Sequence, residues 1–91
     1  MPTQVRILQP LRRLAGDQEI IEINAQTVGE VIDQLDAQFP GFRERICDGD
    51  RQVKRFINIY VDGEDIRFLN GLSTAILDKS EISIVPAIAG G

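Results

Sequence analysis

Apolar and polar residues alternate over two short segments near the start of the chain. This two-residue period predicts a strand over residues 4–8 and a second strand over residues 19–23. Pro10 ends the first strand, and Gly16-Asp17 between the two segments is typical of a turn. The pattern therefore predicts that the chain begins with a β-hairpin.

A helix start follows the hairpin. Thr27 precedes Glu30 by three residues, which is the spacing of a capping box: the threonine hydroxyl accepts from the backbone N–H of Glu30, and the glutamate reaches back. Pro40-Gly41 ends the helix near Gln38. The apolar residues recur at helical spacing and form one stripe, made of Val28, Val31, Ile32, Leu35 and Phe39. One face of this helix must therefore cover an apolar surface elsewhere.

The second half of the chain returns to strand periodicity. A strand is predicted over residues 55–61, and Asp62-Gly63 predicts a tight turn into a short strand over residues 65–68. The last strand is predicted over residues 81–86. The intervening segments are predicted to be loops that each contain a short helical turn, over residues 42–53 and 71–78.

The resulting order is β-β-α-β-β-β, with one main helix packed on a mixed sheet of about five strands. This is the order of the ubiquitin-like β-grasp, a two-layer α+β fold, in which the first and last strands lie side by side in the middle of the sheet. We expect residues 1–86 to form this domain and residues 87–91 to form a flexible C-terminal tail that ends in Gly-Gly.

Size and charge narrow the classes of function. The chain has 91 residues, enough for one domain. A net charge of −4 argues against a general nucleic-acid binder, because that function needs a basic face. No charged leader precedes an apolar run, and no apolar stretch approaches the roughly 20 residues of a membrane helix. We therefore expect a cytoplasmic protein that binds neither nucleic acid nor membrane.

The cysteine and histidine counts limit the chemistry further. With one cysteine, Cys47, and no histidine, the chain cannot assemble a Cys/His metal site or a histidine-assisted nucleophile. Burial as a small apolar residue is the simpler interpretation of Cys47, although a sulfur-relay thiol is the alternative. Asp62, Glu64 and Asp65 cluster at a turn, which turn propensity explains without a metal. We expect neither a metal site nor an enzyme active site in this chain.

The C-terminal residues have the most distinctive chemistry. Pro86 cannot continue a central ladder, so the last strand stops there and residues 87–91 follow. Gly90 and Gly91 have no side chains, so this end of the chain is narrow enough to enter a tight channel in a partner. A terminal carboxylate is an anion at neutral pH and a poor acyl electrophile. Adenylation would activate it, and attack by a sulfur nucleophile would then leave a thiocarboxylate at Gly91.

Three stretches resemble the MoaD/ThiS family of ubiquitin-like sulfur carriers, and the resemblance covers essentially the whole chain. They are Val61-Asp62-Gly63-Glu64-Asp65-Ile66, Asp78-Lys79-Ser80-Glu81-Ile82 and Pro86-Ala87-Ile88-Ala89-Gly90-Gly91. Family members often have Asn in place of Asp62 and Asp-Gly-Asp in place of Asp78-Lys79-Ser80, and both differences lie in turns. The resemblance implies an E1-like adenylating enzyme of the MoeB/ThiF type, which uses ATP to activate Gly91.

Within the family, residues 55–61, 65–68 and 74–76 are most similar to the CysO-type carriers of cysteine biosynthesis. That similarity implies a PLP-dependent cysteine synthase, which accepts the sulfur on an activated serine, and a JAMM-type metalloprotease, which releases the cysteine added to the tail. ATP and PLP would belong to these partner enzymes, so we expect this chain to bind no cofactor itself.

Three other functions remain open at this point. The nearest is the small subunit of molybdopterin synthase, which would dock on the large subunit in molybdenum cofactor biosynthesis. Another is a ubiquitin-like protein modifier, whose Gly91 would form an isopeptide bond with a target lysine. The third is a binding module that uses only the sheet face and does not need Gly90-Gly91.

A partner must also hold the domain. If the inward residues of the central strands face the helix, Leu8 and Val85 lie on the opposite face of neighbouring strands, where clustered apolar side chains often mark an interface. Phe56, Tyr60 and Phe68 would extend this patch. The alternative is that Leu8 and Val85 pack beneath the loop over residues 43–55. The predicted partner-binding residues are Leu8, Tyr60, Phe68, Val85, Pro86, Ala87, Ile88 and Ala89.

Overall fold

The computed structural model describes residues 3–9, 11–48, 52–54, 56–77 and 80–86. Its strands are β1 (Thr3–Ile7), β2 (Ile20–Ile23), β3 (Ile57–Val61), β4 (Glu64–Asp65) and β5 (Glu81–Pro86). Its helices are α1 (Val28–Gln38) and α2 (Phe42–Ile46). Short 3₁₀ turns occur at Leu11–Ala15, Ile66–Phe68 and Gly71–Ser73.

The strands form one mixed sheet in the order β2-β1-β5-β3-β4. The first and last strands, β1 and β5, are parallel neighbours in the centre, with Val5 beside Ile82 and Ile7 beside Ile84. The remaining pairs are antiparallel. The prediction of a β-grasp sheet with adjacent central first and last strands is therefore confirmed.

The core lies between one face of the sheet and α1. Val5, Ile7, Ile82 and Ile84 point into it and are at most 1% exposed, as the alternation predicts. The apolar stripe of α1 covers them through Val28, Val31, Ile32 and Leu35, all buried. Each fully buried aliphatic side chain contributes about 1.5–3 kcal/mol relative to an exposed one. This packing makes the central strands the most firmly held part of the sheet.

The predicted helix cap is present, with one difference. The Thr27 hydroxyl accepts from the backbone N–H of Glu30 at 3.2 Å. The Glu30 carboxylate reaches back to the backbone N–H of Gln26 and to the Thr27 hydroxyl, each at 3.4 Å. The reciprocal bond of the capping box thus goes to the N–H one residue before the cap.

The predicted strand over residues 65–68 is wrong beyond Asp65. The carboxylate of Asp65 accepts from the backbone N–H of Arg67 at 2.8 Å and caps the 3₁₀ turn Ile66–Phe68. A side chain that binds the backbone two residues ahead favours a turn over an extended strand. As a result β4 has only two residues.

The segment over residues 42–53 contributes more to the core than a surface loop would. Phe42 and Ile46 lie one helical turn apart on α2 and are both buried, and Cys47 is buried next to them. This burial agrees with the apolar role expected for Cys47.

Acidic residues of α1 hold α2 in place. The Asp36 carboxylate accepts from the backbone N–H groups of Gly41 at 3.2 Å and Arg43 at 3.0 Å. The Arg43 guanidinium donates to Asp33 at 2.8 Å. This hydrogen bond to Asp33, together with the negative charge of Asp36, raises the pKa of Arg43. Arg43 therefore stays cationic and links α2 to α1.

Candidate functional site

The last strand, β5, lies in the middle of the sheet and ends at Pro86. Pro86 is paired with Ile57 on β3, and on the other side the backbone N–H of Leu8 donates to the carbonyl of Ile84 at 3.2 Å. The strand therefore ends between the start of β3 and the residues that follow β1. We call this place, made of Leu8, Gln9, Ile57, Val85 and Pro86, the tail exit.

Three of the predicted partner-binding residues come together on the sheet face opposite α1, which we call the outer face. The pairing of Ile7 with Ile84 places Leu8 next to Val85. Tyr60 lies on the same face, because Val85 pairs with Asn58, two residues before Tyr60 on β3. Leu8, Tyr60 and Val85 are half-buried and stand outside the buried core cluster.

The alternative position for Leu8 and Val85, beneath the loop over residues 43–55, does not match the described part of that loop. Ile46 and Cys47 belong to the core cluster, and Val53 packs against it. These residues therefore lie on the helix side of the sheet. Within the ranges that the structure describes, the apolar residues of this loop pack on the helix side of the sheet and not against Leu8 or Val85.

Phe68 is 86% exposed but does not belong to any of the strands that form the outer face. It ends the 3₁₀ turn after β4, whereas Tyr60 pairs with Asp65 on β4 itself. Phe56, just before β3, is 65% exposed. Single exposed aromatic side chains are common on protein surfaces, so the exposure of Phe56 and Phe68 is compatible with contact to a partner but does not by itself mark an interface. A partner that contacted Tyr60 and Phe68 together would need to cover both the outer face of the sheet and the 3₁₀ turn that follows β4.

Arg67 holds the β3 side of the tail exit, a role that sequence reasoning missed. Its Nη2 donates to the carbonyl of Ile57 at 2.7 Å and to the carbonyl of Lys54 at 3.2 Å. Its Nη1 donates to Asn58 and lies 3.5 Å from Asp65. A planar guanidinium suits several acceptors at once. Arg67 thereby fixes the start of the strand against which Pro86 pairs.

The remaining predicted site residues, Ala87, Ile88, Ala89, Gly90 and Gly91, lie outside the described residues. Their roles stay predictions. Within the described ranges, no group of three or more Cys, Asp or Glu residues is placed to hold a metal ion. In the same ranges, neither helix has the length and apolar character needed to cross a bilayer.

The parallel β1–β5 centre and the single main helix packed on a mixed sheet define the class: a ubiquitin-like β-grasp domain. The comparison with protein families makes the assignment specific. The model described as the ThiS family matches residues 5–91. The chain belongs to the ThiS family.

Individual relatives agree with this assignment. The sulfur carrier protein CysO of Mycobacterium bovis is 43% identical over 93 residues, which cover all of both chains. Small archaeal modifier protein 3 of Haloferax volcanii is 31% identical over 94 residues, again all of both chains. A chain in the crystal structure of the Amycolatopsis orientalis BexX/CysO complex is 36% identical, with a TM-score of 0.90 over 98% of this chain and 99% of that one.

These relatives confirm the resemblance to ubiquitin-like sulfur carriers. They also support the expectation that the chain is a carrier and not an enzyme, because the family and the named proteins are small carriers and modifiers.

Proposed function

We propose that this chain is a sulfur carrier that works through the carboxylate of Gly91, most directly in cysteine biosynthesis. The observation that best supports the proposal is 43% identity to a sulfur carrier protein across the full length of both chains. The fold is consistent with it, since the central strand β5 ends at Pro86, five residues before Gly91 in the sequence.

The proposed chemistry has two steps, both at Gly91. First, its carboxylate oxygen attacks the α-phosphorus of ATP, which forms an acyl-adenylate and releases pyrophosphate. Second, a sulfide nucleophile adds to the acyl carbon and AMP leaves with the bonding electron pair. The product is a thiocarboxylate, whose sulfur is nucleophilic and can be passed on. The chain supplies the acyl group, and the activating enzyme supplies ATP and the sites for both steps.

In this proposal the domain, residues 1–86, positions a tail formed by residues 87–91. The half-buried apolar residues Leu8, Tyr60 and Val85 on the outer face would dock on the partner, and Phe68 would extend the contact beyond the sheet. Docking next to the tail exit would aim the tail into the partner's channel. Inside that channel the partner would contact Pro86, Ala87, Ile88 and Ala89. The Gly90-Gly91 pair would enter the narrowest part of the channel.

Partner proteins are a natural part of this function. The Amycolatopsis orientalis CysO chain was crystallised in complex with BexX. For the present chain we propose an E1-like adenylating enzyme of the MoeB/ThiF type, followed by a PLP-dependent cysteine synthase and a JAMM-type metalloprotease. ATP and PLP would be bound by these enzymes. Because activation consumes ATP, the proposal places the carrier in the cytoplasm.

A transfer experiment tests the pathway. The thiocarboxylated chain is mixed with a PLP-dependent cysteine synthase and an activated serine, and in parallel with the large subunit of molybdopterin synthase and its pterin substrate. The proposal predicts that the sulfur displaces the leaving group of the activated serine, so that the product is heavier than the unmodified carboxylate chain by one cysteine residue at Gly91. Sulfur transfer only to the pterin substrate, in the reaction with the large subunit, would contradict the proposal and assign the chain to molybdenum cofactor biosynthesis.

The second candidate is a ubiquitin-like protein modifier. The observation that favours it is the 31% identity over full length to small archaeal modifier protein 3. In this case a target lysine, and not sulfide, would attack the acyl-adenylate and form an isopeptide bond. The test is an immunoblot of cell lysate: ladders of conjugates that disappear when Gly91 is deleted would support modification, and their absence would reject it.

A further inference from the structure

A polar depression of about 390 Å³ lies on the β1 side of the tail exit. It is lined by Gln9, Arg12, Arg13 and Asp17. The backbone N–H of Leu11 donates to the carbonyl of Leu8 at 2.9 Å. The 3₁₀ turn Leu11–Ala15, which carries both arginines, therefore begins shortly after Leu8, the neighbour of Val85. The depression therefore adjoins the place where β5 ends.

The two arginines in this depression differ in how they are held. Arg12 is fixed against the sheet, because its Nε donates to the carbonyl of Ile7 at 2.8 Å and its Nη2 donates to Glu19 at 3.2 Å. Arg13 is exposed, and it makes no hydrogen bond or ion pair within the part of the chain that the structure describes. Asp17 also lines the depression, and Glu19 already balances the charge of Arg12, so Arg13 is the lining cation that no carboxylate of the described residues pairs with.

We infer that Arg13, with Gln9 and Arg12 beside it, binds an acidic side chain on the partner that takes up the tail; this inference rests on the proposed function. A partner that docks on Leu8 and Val85 and takes up the tail lies next to Gln9, which lines this depression. A guanidinium has a planar set of donors that matches a carboxylate in two-point contact. Because Arg12 is held in place, the depression is preformed on that side, and the exposed Arg13 is the donor that is available to a partner.

The length of the tail sets what this contact can do. Five extended residues span at most about 16–18 Å, so with the tail inserted Arg13 stays at the mouth of the partner's channel. It would not touch the reacting groups at Gly91. Its charge would act on capture and orientation of the carrier, an effect that salt screens over about 8–10 Å. We therefore expect Arg13 to affect KM and the association rate much more than kcat.

A charge reversal with a matched control tests the inference. Arg13→Glu is compared with Arg45→Glu, which makes the same change in net charge at an exposed position on α2, on the helix side of the molecule. Thiocarboxylate formation is measured with the E1-like enzyme of the same organism, ATP and sulfide, at low and high salt. Arg13→Glu should raise KM about tenfold or more at low salt, with kcat within about twofold. Arg45→Glu should leave both constants within about twofold, and Arg13→Gln should fall between.

The outcomes separate the two claims. Equal effects of Arg13→Glu and Arg45→Glu, or a loss confined to kcat, would overturn the inference and leave the proposed function standing. Failure of the wild-type chain to form a thiocarboxylate would reject the proposed function and this inference with it. Thermal melting of each variant confirms folding, and Arg13→Gln provides the same comparison without a reversed charge.

Discussion

Asp62 and Glu81 are joined by two hydrogen bonds that tie the β3–β4 turn to the start of β5. The backbone N–H of Asp62 donates to the carbonyl of Glu81 at 2.8 Å, and the backbone N–H of Glu81 donates to the Asp62 carboxylate at 2.9 Å. Asp62 also has a positive φ of 51°, a conformation that Asp and Asn tolerate better than other side chains. The same residue therefore shapes the turn and anchors the strand that leads to the tail exit.

Asp62→Ala should lower the free energy of unfolding by about 1–2 kcal/mol. It removes one hydrogen bond and places a less tolerant residue at positive φ. The matched control is Asp62→Asn, which keeps the side-chain acceptor and the tolerance and should stay within about 0.5 kcal/mol of wild type. Thermal melting resolves the difference, since about 1 kcal/mol shifts Tm by roughly 4–8 °C at this size. Equal losses in the two variants would show that the side-chain acceptor is unimportant.

Arg67 should be irreplaceable by lysine. Arg67→Ala and Arg67→Lys should each lower the free energy of unfolding by about 1–2 kcal/mol. The guanidinium reaches the carbonyls of Lys54 and Ile57 from Nη2 and the Asn58 side chain from Nη1, and the single nitrogen of a lysine cannot occupy both positions. Urea unfolding measures the loss, and hydrogen exchange of the Ile57 N–H reports on the start of β3. Arg45→Ala serves as the surface control. A lysine variant as stable as wild type would refute the proposed role of the planar guanidinium.

Leu8 and Val85 should matter for partner binding more than for folding. Leu8→Asp and Val85→Asp each put a charge on the half-buried outer face, which should lower kcat/KM for thiocarboxylate formation at least about tenfold, equivalent to about 1.4 kcal/mol. Ile20→Asp is the control, because Ile20 is 41% exposed and lies on the same face at the far edge of the sheet. If Ile20→Asp reduced activation as much as Leu8→Asp, the proposal that the partner docks on Leu8 and Val85 would be wrong.

The terminal glycines should be essential for activation and dispensable for the fold. Addition of one alanine after Gly91 should abolish thiocarboxylate formation, because the acyl group would no longer sit on glycine at the end of the channel. The thermal stability of the extended chain should match that of the wild type, since the strands and helices of the described structure end at Pro86. An alanine added at the N-terminus controls for chain length. Normal activation of the C-terminally extended chain would count against Gly91 as the reactive residue.

Features set by neighbouring residues were predictable from the sequence. The cap of α1 depends on Thr27 and Glu30, three residues apart, and the buried stripe that follows has the period of a helix. The inward positions of β1 and β5 follow from alternation in the same way. The adjacency of Leu8 and Val85 then follows from the parallel pairing that the β-grasp imposes.

Features that depend on which group a side chain binds in the folded chain were not predictable. The short length of β4 results from the Asp65 side chain, which caps a turn where the pattern of apolar residues suggested a strand. The role of Arg67 depends on carbonyls ten and thirteen residues away, and no local spacing shows where those carbonyls point. Phe42 and Ile46 lie one helical turn apart on α2 and are both buried, although the three residues between them are charged.

The most direct test of the central claim is intact mass spectrometry of the full chain after incubation with the E1-like enzyme of the same organism, ATP and a sulfide source. The account predicts a mass increase equal to the exchange of one oxygen for sulfur, located by fragmentation in the peptide that contains Gly90-Gly91. Omission of ATP should remove the increase. An unchanged mass with an enzyme that consumes ATP in the presence of the chain, or a sulfur found on Cys47 in place of Gly91, would contradict it.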